Sequence, residues 1–187
     1  EVADLLPDEN AAAGFDNALV VDSIADKPTA ERLARLQHIP HATAAVDAKG
    51  PADGIACAAR DEGVEIPLVV EIDAGGHRAG VQTADAAVEL ARHIADTPGL
   101  VYEGIMCYPP TKHVIPIMLA ARAKLQRAGL PPKIESGGGT GAQSVARAAG
   151  LTAPRPRAAA CNASHVPGRA TPALDQHARH RLGSGRA

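Results

Sequence analysis

The feature that most constrains this chain is an alternation. Short aliphatic runs at Ala18 to Val21, Thr43 to Val46, Pro67 to Asp73, Leu100 to Cys107 and Pro132 to Glu135 are separated by stretches with helical periodicity around Thr29 to Gln37, Ala52 to Asp61, Ala84 to Asp96 and Ile117 to Ala128. Continuous aliphatic runs are what a strand buried on both faces requires, and a helix between two such runs is the usual crossover of a parallel sheet. Gly63, Pro98 and Gly129 stand just beyond three of these helices, where a helix is expected to stop. An α/β fold with about five parallel strands follows. A further helix is expected over Val2 to Ala13, so the pattern reads as starting partway through a βα unit. Five strands are too few to close an eight-stranded barrel, and an open parallel sheet with an unpaired edge favours association, so a homodimer is expected.

The alternation stops near Gly150. Residues 1–150 hold 13 Lys and Arg against 20 Asp and Glu, whereas the last 37 residues hold six Arg against Asp175 alone. Residues 151–187 are rich in Ala, Pro, Arg, His and Gly and have too few large aliphatics to bury a core, so a disordered, low-complexity basic tail is expected. Its composition also resembles translation in a shifted reading frame. A basic tail is a possible nucleic-acid contact, but no motif organises it, and with only Phe15, Tyr102 and Tyr108 as aromatics the chain offers no platform for stacking bases. Cys57, Cys107 and Cys161 are an odd number without zinc-type spacing, which argues for reduced thiols. No apolar run has membrane-spanning length and no secretory pattern leads the chain, so the expectation is a cytoplasmic protein.

Three segments carry chemistry. Ser136-Gly137-Gly138-Gly139-Thr140-Gly141 follows the fifth aliphatic run and precedes a short helical stretch over Ala142 to Ala149. Consecutive glycines let backbone N–H groups converge on an anion, and a helix N-terminus behind them adds partial positive charge, so a phosphate cradle is expected, the alternative being a flexible turn; without a following Gly-Lys-Ser/Thr it is not a Walker loop. The third run, Val69-Val70-Glu71-Ile72, delivers Asp73 and Arg78 at its C-terminal end, where ligands of parallel α/β folds collect. Asp73 and Arg78 either hold each other or face a ligand. Tyr108 ends the fourth run before Pro109-Pro110, placed either to present its hydroxyl to a ligand or to pack. His77 and His113 lack metal-ligand spacing.

The order of the motifs EIDxGxxRxGV, PGLxYxGIMxY and GLPxxIESGGGTG, from about residue 14 to residue 141, resembles the D-threonine aldolase and D-serine dehydratase branch of the alanine racemase N-terminal barrels. The resemblance implies a partial TIM-type (β/α) barrel over residues 1–150 that binds pyridoxal 5'-phosphate. It places Ser136, Gly137, Gly138, Gly139 and Thr140 at the phosphate, Arg78 beside the pyridine ring or its oxygen, and Tyr108 on the strand facing the cofactor. The implied activity is that of a lyase or racemase on small D-amino acids. The family's Schiff-base lysine belongs to the first barrel strand, and none of Lys27, Lys49, Lys112, Lys124 or Lys133 stands in that context. Relatives also carry a β-rich C-terminal module with ligands for a divalent metal, which is not expected here. After Tyr108 the family continues Gly-His, whereas this chain reads Pro109-Pro110-Thr111-Lys112-His113. The expectation is therefore a fragment without turnover of its own; the alternative is a non-catalytic module that binds pyridoxal phosphate or another phosphometabolite.

Overall fold

The computed structural model describes residues 17–20, 24, 26–38, 41–73 and 75–137. The expected helices over Val2 to Ala13 and Ala142 to Ala149, and the tail over 151–187, lie outside the described residues. Within them the order is β1 (Asn17–Val20), α1 (Lys27–Leu36), β2 (His41–Val46), α2 (Lys49–Glu62), β3 (Ile66–Glu71), α3 (Ala84–Asp96), β4 (Leu100–Cys107), α4 (Val114–Arg127) and β5 (Ile134–Gly137). The strands form one parallel sheet in the order β1-β2-β3-β4-β5, so each βα unit lays its strand beside the preceding one. The parallel α/β sheet is the one expected from the alternation, and its half-barrel form is what the family resemblance implied. Among the described residues the sheet ends at β1 on one side and β5 on the other.

Several boundaries differ from the periodicity, for local reasons. Helix α1 begins at Lys27 because the Asp26 carboxylate caps it, accepting the Thr29 N–H at 3.0 Å, with Pro28 in the first turn. Helix α2 takes in Gly50 and Pro51 at its start and ends on Gly63 in the left-handed conformation, at φ 67°. Strand β5 starts at Ile134 rather than Pro132: Pro131 and Pro132 have no N–H to give, and the Lys133 N–H is the first to pair, with the Glu103 carbonyl at 2.9 Å.

The two faces of the sheet are built differently. Residues such as Ala44, Val46, Leu68, Val70, Ile72, Ile105 and Cys107 face the helices and join Leu33, Ile55, Leu90, Ile94, Met118 and Leu125 in one large core. On the opposite, concave face a small apolar cluster of Ala45, Val69 and Met106 is buried, with Leu19 and Ile134 against it. Strand alternation assigns these positions, and the register stacks them in rows. Ala45, Val69, Gly104 and Ile134 form one row. One step toward the C-terminal ends, Glu71, Met106 and Ser136 form the next.

Gly104 is essential to this arrangement. A Cβ on Gly104 would lie 1.9 Å from the Ile134 carbonyl oxygen, so any side chain there would force β4 and β5 apart. An irregularity in the pairing of β3 with β4, between Leu68 and Val69, accommodates Glu103 as the extra residue of β4. No helix among the described residues is long and apolar enough to cross a membrane.

Candidate functional site

Beyond β3 the chain folds back on itself. Ile72 makes a parallel bridge with Val81, the Asp73 N–H donates to the Val81 carbonyl at 3.0 Å, and the Val81 N–H donates to the Glu71 carbonyl at 2.9 Å. Gly80 closes this ring of backbone at φ 104°, where a Cβ would approach the Asp73 nitrogen to 2.3 Å. The Gly80 N–H in turn donates to the Asp47 carboxylate at 3.0 Å, which ties the loop to the end of β2. Arg78, exposed, is carried on this loop at the C-terminal end of the sheet.

Asp73 is buried, and its carboxylate accepts the His77 N–H at 3.1 and 3.2 Å. Of the two alternatives read from the sequence, the mutual pair is not formed: the described partner of Asp73 is His77, at 3.6 Å to Nδ1, rather than Arg78. Burial raises the carboxyl's pKa, but hydrogen bonds from the His77 and Gly75 backbone and the Gln82 side chain outweigh it and hold the group below the ordinary aspartate value. Asp73 thus shapes the loop that presents Arg78.

Glu71, two residues earlier on the same face, is shifted the other way. Desolvation first, and then repulsion from Asp47 and Asp73 against attraction to Arg78, raise its pKa above that of an ordinary glutamate. Neither Asp47 nor Glu71 was singled out by spacing. Their signal was in the alternation, since each stands two positions beyond a concave-face residue, Ala45 or Val69.

Strand β4 ends in buried Met106 and Cys107 and then Tyr108, which is 38% exposed and continues the Met106 face. The following loop reaches across to the β3 loop, where a Cβ on Gly75 would come within 3.1 Å of the His113 ring. Cys57 and Cys107 are free thiols, Cys57 exposed and Cys107 buried.

Ser136, at the end of β5, is 2% exposed, and its Oγ has no hydrogen-bond partner. A buried hydroxyl without a partner costs about 1–3 kcal/mol, so a native structure retains one where something else is to meet it. Its neighbour Glu135 faces the other way, bound through both carboxylate oxygens to Arg122 of α4, at 2.8 and 2.7 Å from Nε. That half-buried pair fixes α4 against β5 and so the position of Ser136. Gly137 closes β5 opposite Cys107; Gly138, Gly139 and Thr140 lie outside the described residues. The Tyr102 hydroxyl is also unpartnered, but it lines a cleft of about 320 Å³ with Ala95, Leu130 and Lys133 at the other end of β4, away from these residues. Arg78, Tyr108 and Ser136 therefore occupy the C-terminal ends of three adjacent strands. Among the described residues no group of three His, Cys, Asp or Glu side chains converges as metal ligands would.

Residues 9–156 match the family described as alanine racemase, N-terminal domain. The chain belongs to that family. It is 33% identical over 146 residues to 3-hydroxy-D-aspartate aldolase of Paracoccus denitrificans (strain Pd 1222), a match covering 70% of this chain and 38% of the aldolase. Among solved structures, D-threonine aldolase from Filomicrobium marinum superposes with a TM-score of 0.71 at 24% identity, covering 77% of this chain and 43% of that one, which shows the shared fold. D-threo-3-hydroxyaspartate dehydratase from Delftia sp. HT23 gives 0.54 at 25% identity, covering 70% and 38%. The chain thus spans well under half the length of each of these relatives.

Proposed function

We propose that this chain is the cofactor-holding part of a pyridoxal-phosphate-dependent lyase acting on small D-amino acids that carry a 3-hydroxyl group. The observation that carries the reading is the buried, unpartnered Ser136 hydroxyl at the end of β5, immediately before a run of glycines. A hydroxyl in that position suits one oxygen of a phosphate, and backbone N–H groups of the glycines suit the others. The substrate class is supported by the names of the relatives, a 3-hydroxy-D-aspartate aldolase, a D-threonine aldolase and a D-threo-3-hydroxyaspartate dehydratase, which share a D-configured amino acid with oxygen at C3.

In this reading Ser136, Gly137, Gly138, Gly139 and Thr140 hold the phosphate, and Arg78 and Tyr108 border the ring from the ends of β3 and β4. When bound, the cofactor supplies an electron sink for breaking a bond next to the substrate α-carbon. The residues of this chain anchor and orient: Ser136 donates to a phosphate oxygen, Arg78 places positive charge at the mouth of the sheet, and Met106 gives an apolar floor.

A second reading, a pyridoxal-phosphate or phosphometabolite module without chemistry of its own, is favoured by where the lysines stand. Lys27 pairs with Glu31 at 3.5 Å, Lys49 with Glu89 at 2.5 Å, Lys124 with Asp85 at 2.5 Å and Lys133 with Glu103 at 2.9 Å, so these four are engaged in ion pairs, while Lys112 lies in the loop after Tyr108 rather than on a strand.

Both readings are tested by titrating the purified chain with pyridoxal phosphate, reducing with borohydride and locating modified lysines by mass spectrometry, with inorganic phosphate as competitor. Saturable binding that phosphate displaces, with no lysine labelled stoichiometrically, is expected of this chain. One lysine labelled stoichiometrically and protected by phosphate would overturn the second reading; absence of phosphate-competed binding would overturn both.

A further inference from the structure

Across the C-terminal end of the concave face the register makes one row of three unlike side chains: Glu71 on β3, buried Met106 on β4 and Ser136 on β5. Neighbouring strands are about 4.8 Å apart, so the row is roughly 10 Å wide. At one end stands a hydroxyl with nothing to bond, in the middle a thioether that packs well against a flat ring, and at the other end a carboxyl. An acidic side chain stands beside that carboxyl: Val46, the last residue of β2, pairs with Val70, and the residues that follow them are Asp47 and Glu71. The Asp47 carboxylate is fixed in place by the Gly80 N–H. Among the described residues no hydrogen bond donates to the Glu71 carboxyl, in contrast to that of Asp73 two residues on.

We propose that the Glu71 carboxyl carries a proton and that its O–H is the hydrogen-bond donor receiving the edge of a ring whose phosphate is held at Ser136. This rests on the reading of the site given above. A half-buried carboxyl beside another acidic side chain does not ionise readily, and burial, with Asp47 nearby, raises the pKa of Glu71. The charged groups near Glu71 among the described residues are Asp47 from β2, Asp73 and Arg78 from its own strand and loop, and His77 beside Asp73. Of these only Arg78 and a protonated His77 favour its ionised form. Glu71 is then a binding group for an acceptor atom on the ligand, while Arg78 supplies positive charge beside it.

The sign of the pH dependence follows. Below the pKa of Glu71 the donor is present; as pH rises through it the donor is replaced by an anion that repels an acceptor. The experiment measures affinity of the full chain for 4-deoxypyridoxine phosphate, which has the ring and phosphate but no aldehyde, across pH, in the wild type and in Glu71→Gln, with inorganic phosphate as a second probe. Gln is a neutral donor of nearly the same shape, and circular dichroism checks that the variant folds.

The two proteins are expected to bind the ring probe equally at low pH, the wild type falling on the order of tenfold behind Glu71→Gln as pH rises. Affinity for inorganic phosphate is expected to be the same in both. A ratio that does not change with pH, or a Glu71→Gln variant weaker at every pH, overturns the donor role. Infrared difference spectroscopy of the unliganded chain decides the protonated Glu71 carboxyl separately: a protonated-carboxyl band lost in Glu71→Gln supports it, and no such band overturns it. If neither protein binds the ring probe, the reading of the site fails along with the donor role, and the infrared result still stands.

Discussion

The two faces of the same five strands obey different rules. The helix-facing side is continuous, apolar and saturated: Ile55, Ile66, Leu68, Ile72, Ile94, Met118 and Leu125 are fully buried in one cluster. The concave side buries three small or flexible residues, then gives way toward the strand ends to Asp47, Glu71 and Ser136. Burial of apolar area stabilises the first face at about 25 cal/mol per Å². The second face cannot be explained in that way, since an unpartnered buried hydroxyl and adjacent carboxyls both oppose folding. Helix-side positions thus serve stability, whereas the strand-end positions on the other face are the ones the proposed function assigns to a ligand.

The hardest test of this division is at the seam between β4 and β5. Gly104→Ala places a methyl against the Ile134 backbone with nowhere to go, and is expected to lower stability by about 4 kcal/mol or more, read as the shift in urea midpoint. Gly50→Ala, where the added methyl meets nothing within 4 Å, is the control and should leave the midpoint unchanged or slightly higher. If the two variants behaved alike, the close β4–β5 pairing, and with it the row that contains Ser136, would be wrong.

Next in size is the helix side itself. Leu68→Ala removes a fully buried side chain from the large cluster and is expected to cost about 3 kcal/mol in the same measurement. Its effect on phosphate affinity should be small once the protein is folded, because Leu68 points away from the strand ends. A loss of affinity out of proportion to stability would mean that the two faces are coupled.

The alternation of aliphatic runs with helical stretches was enough to recover the five strands and four helices of the described residues, and the boundaries of α3 and β4 agree residue for residue. Long-range pairing could not be read in this way. Nothing in the string says that Asp47 reaches the Gly80 N–H, 33 positions away, or that Asp73 turns to His77 rather than to Arg78. The candidate site was legible where a compact motif marks a strand end, as at Ser136 and Gly137. It was not legible where the reading depends on which face of a strand a lone residue takes, as with the proposed part of Glu71. Glu135, inside the same glycine-rich motif, shows the converse: it belongs to α4 through Arg122 and has no part in the site.

The smallest effect on stability is expected where the effect on binding is largest. Ser136→Ala removes a hydroxyl that has no partner and leaves a side chain of almost the same volume, so no hydrogen bond is lost and an uncompensated polar group disappears. Stability should be unchanged or rise by up to about 1 kcal/mol. Phosphate affinity should fall by about tenfold, since a hydrogen bond to a charged oxygen contributes about 1.5–3 kcal/mol when made. The opposite pattern, a clear loss of stability with affinity intact, would mean that the Ser136 hydroxyl serves the fold. The concave face would then be an ordinary core with a wet edge, and the contrast between the two faces would be one of packing density alone.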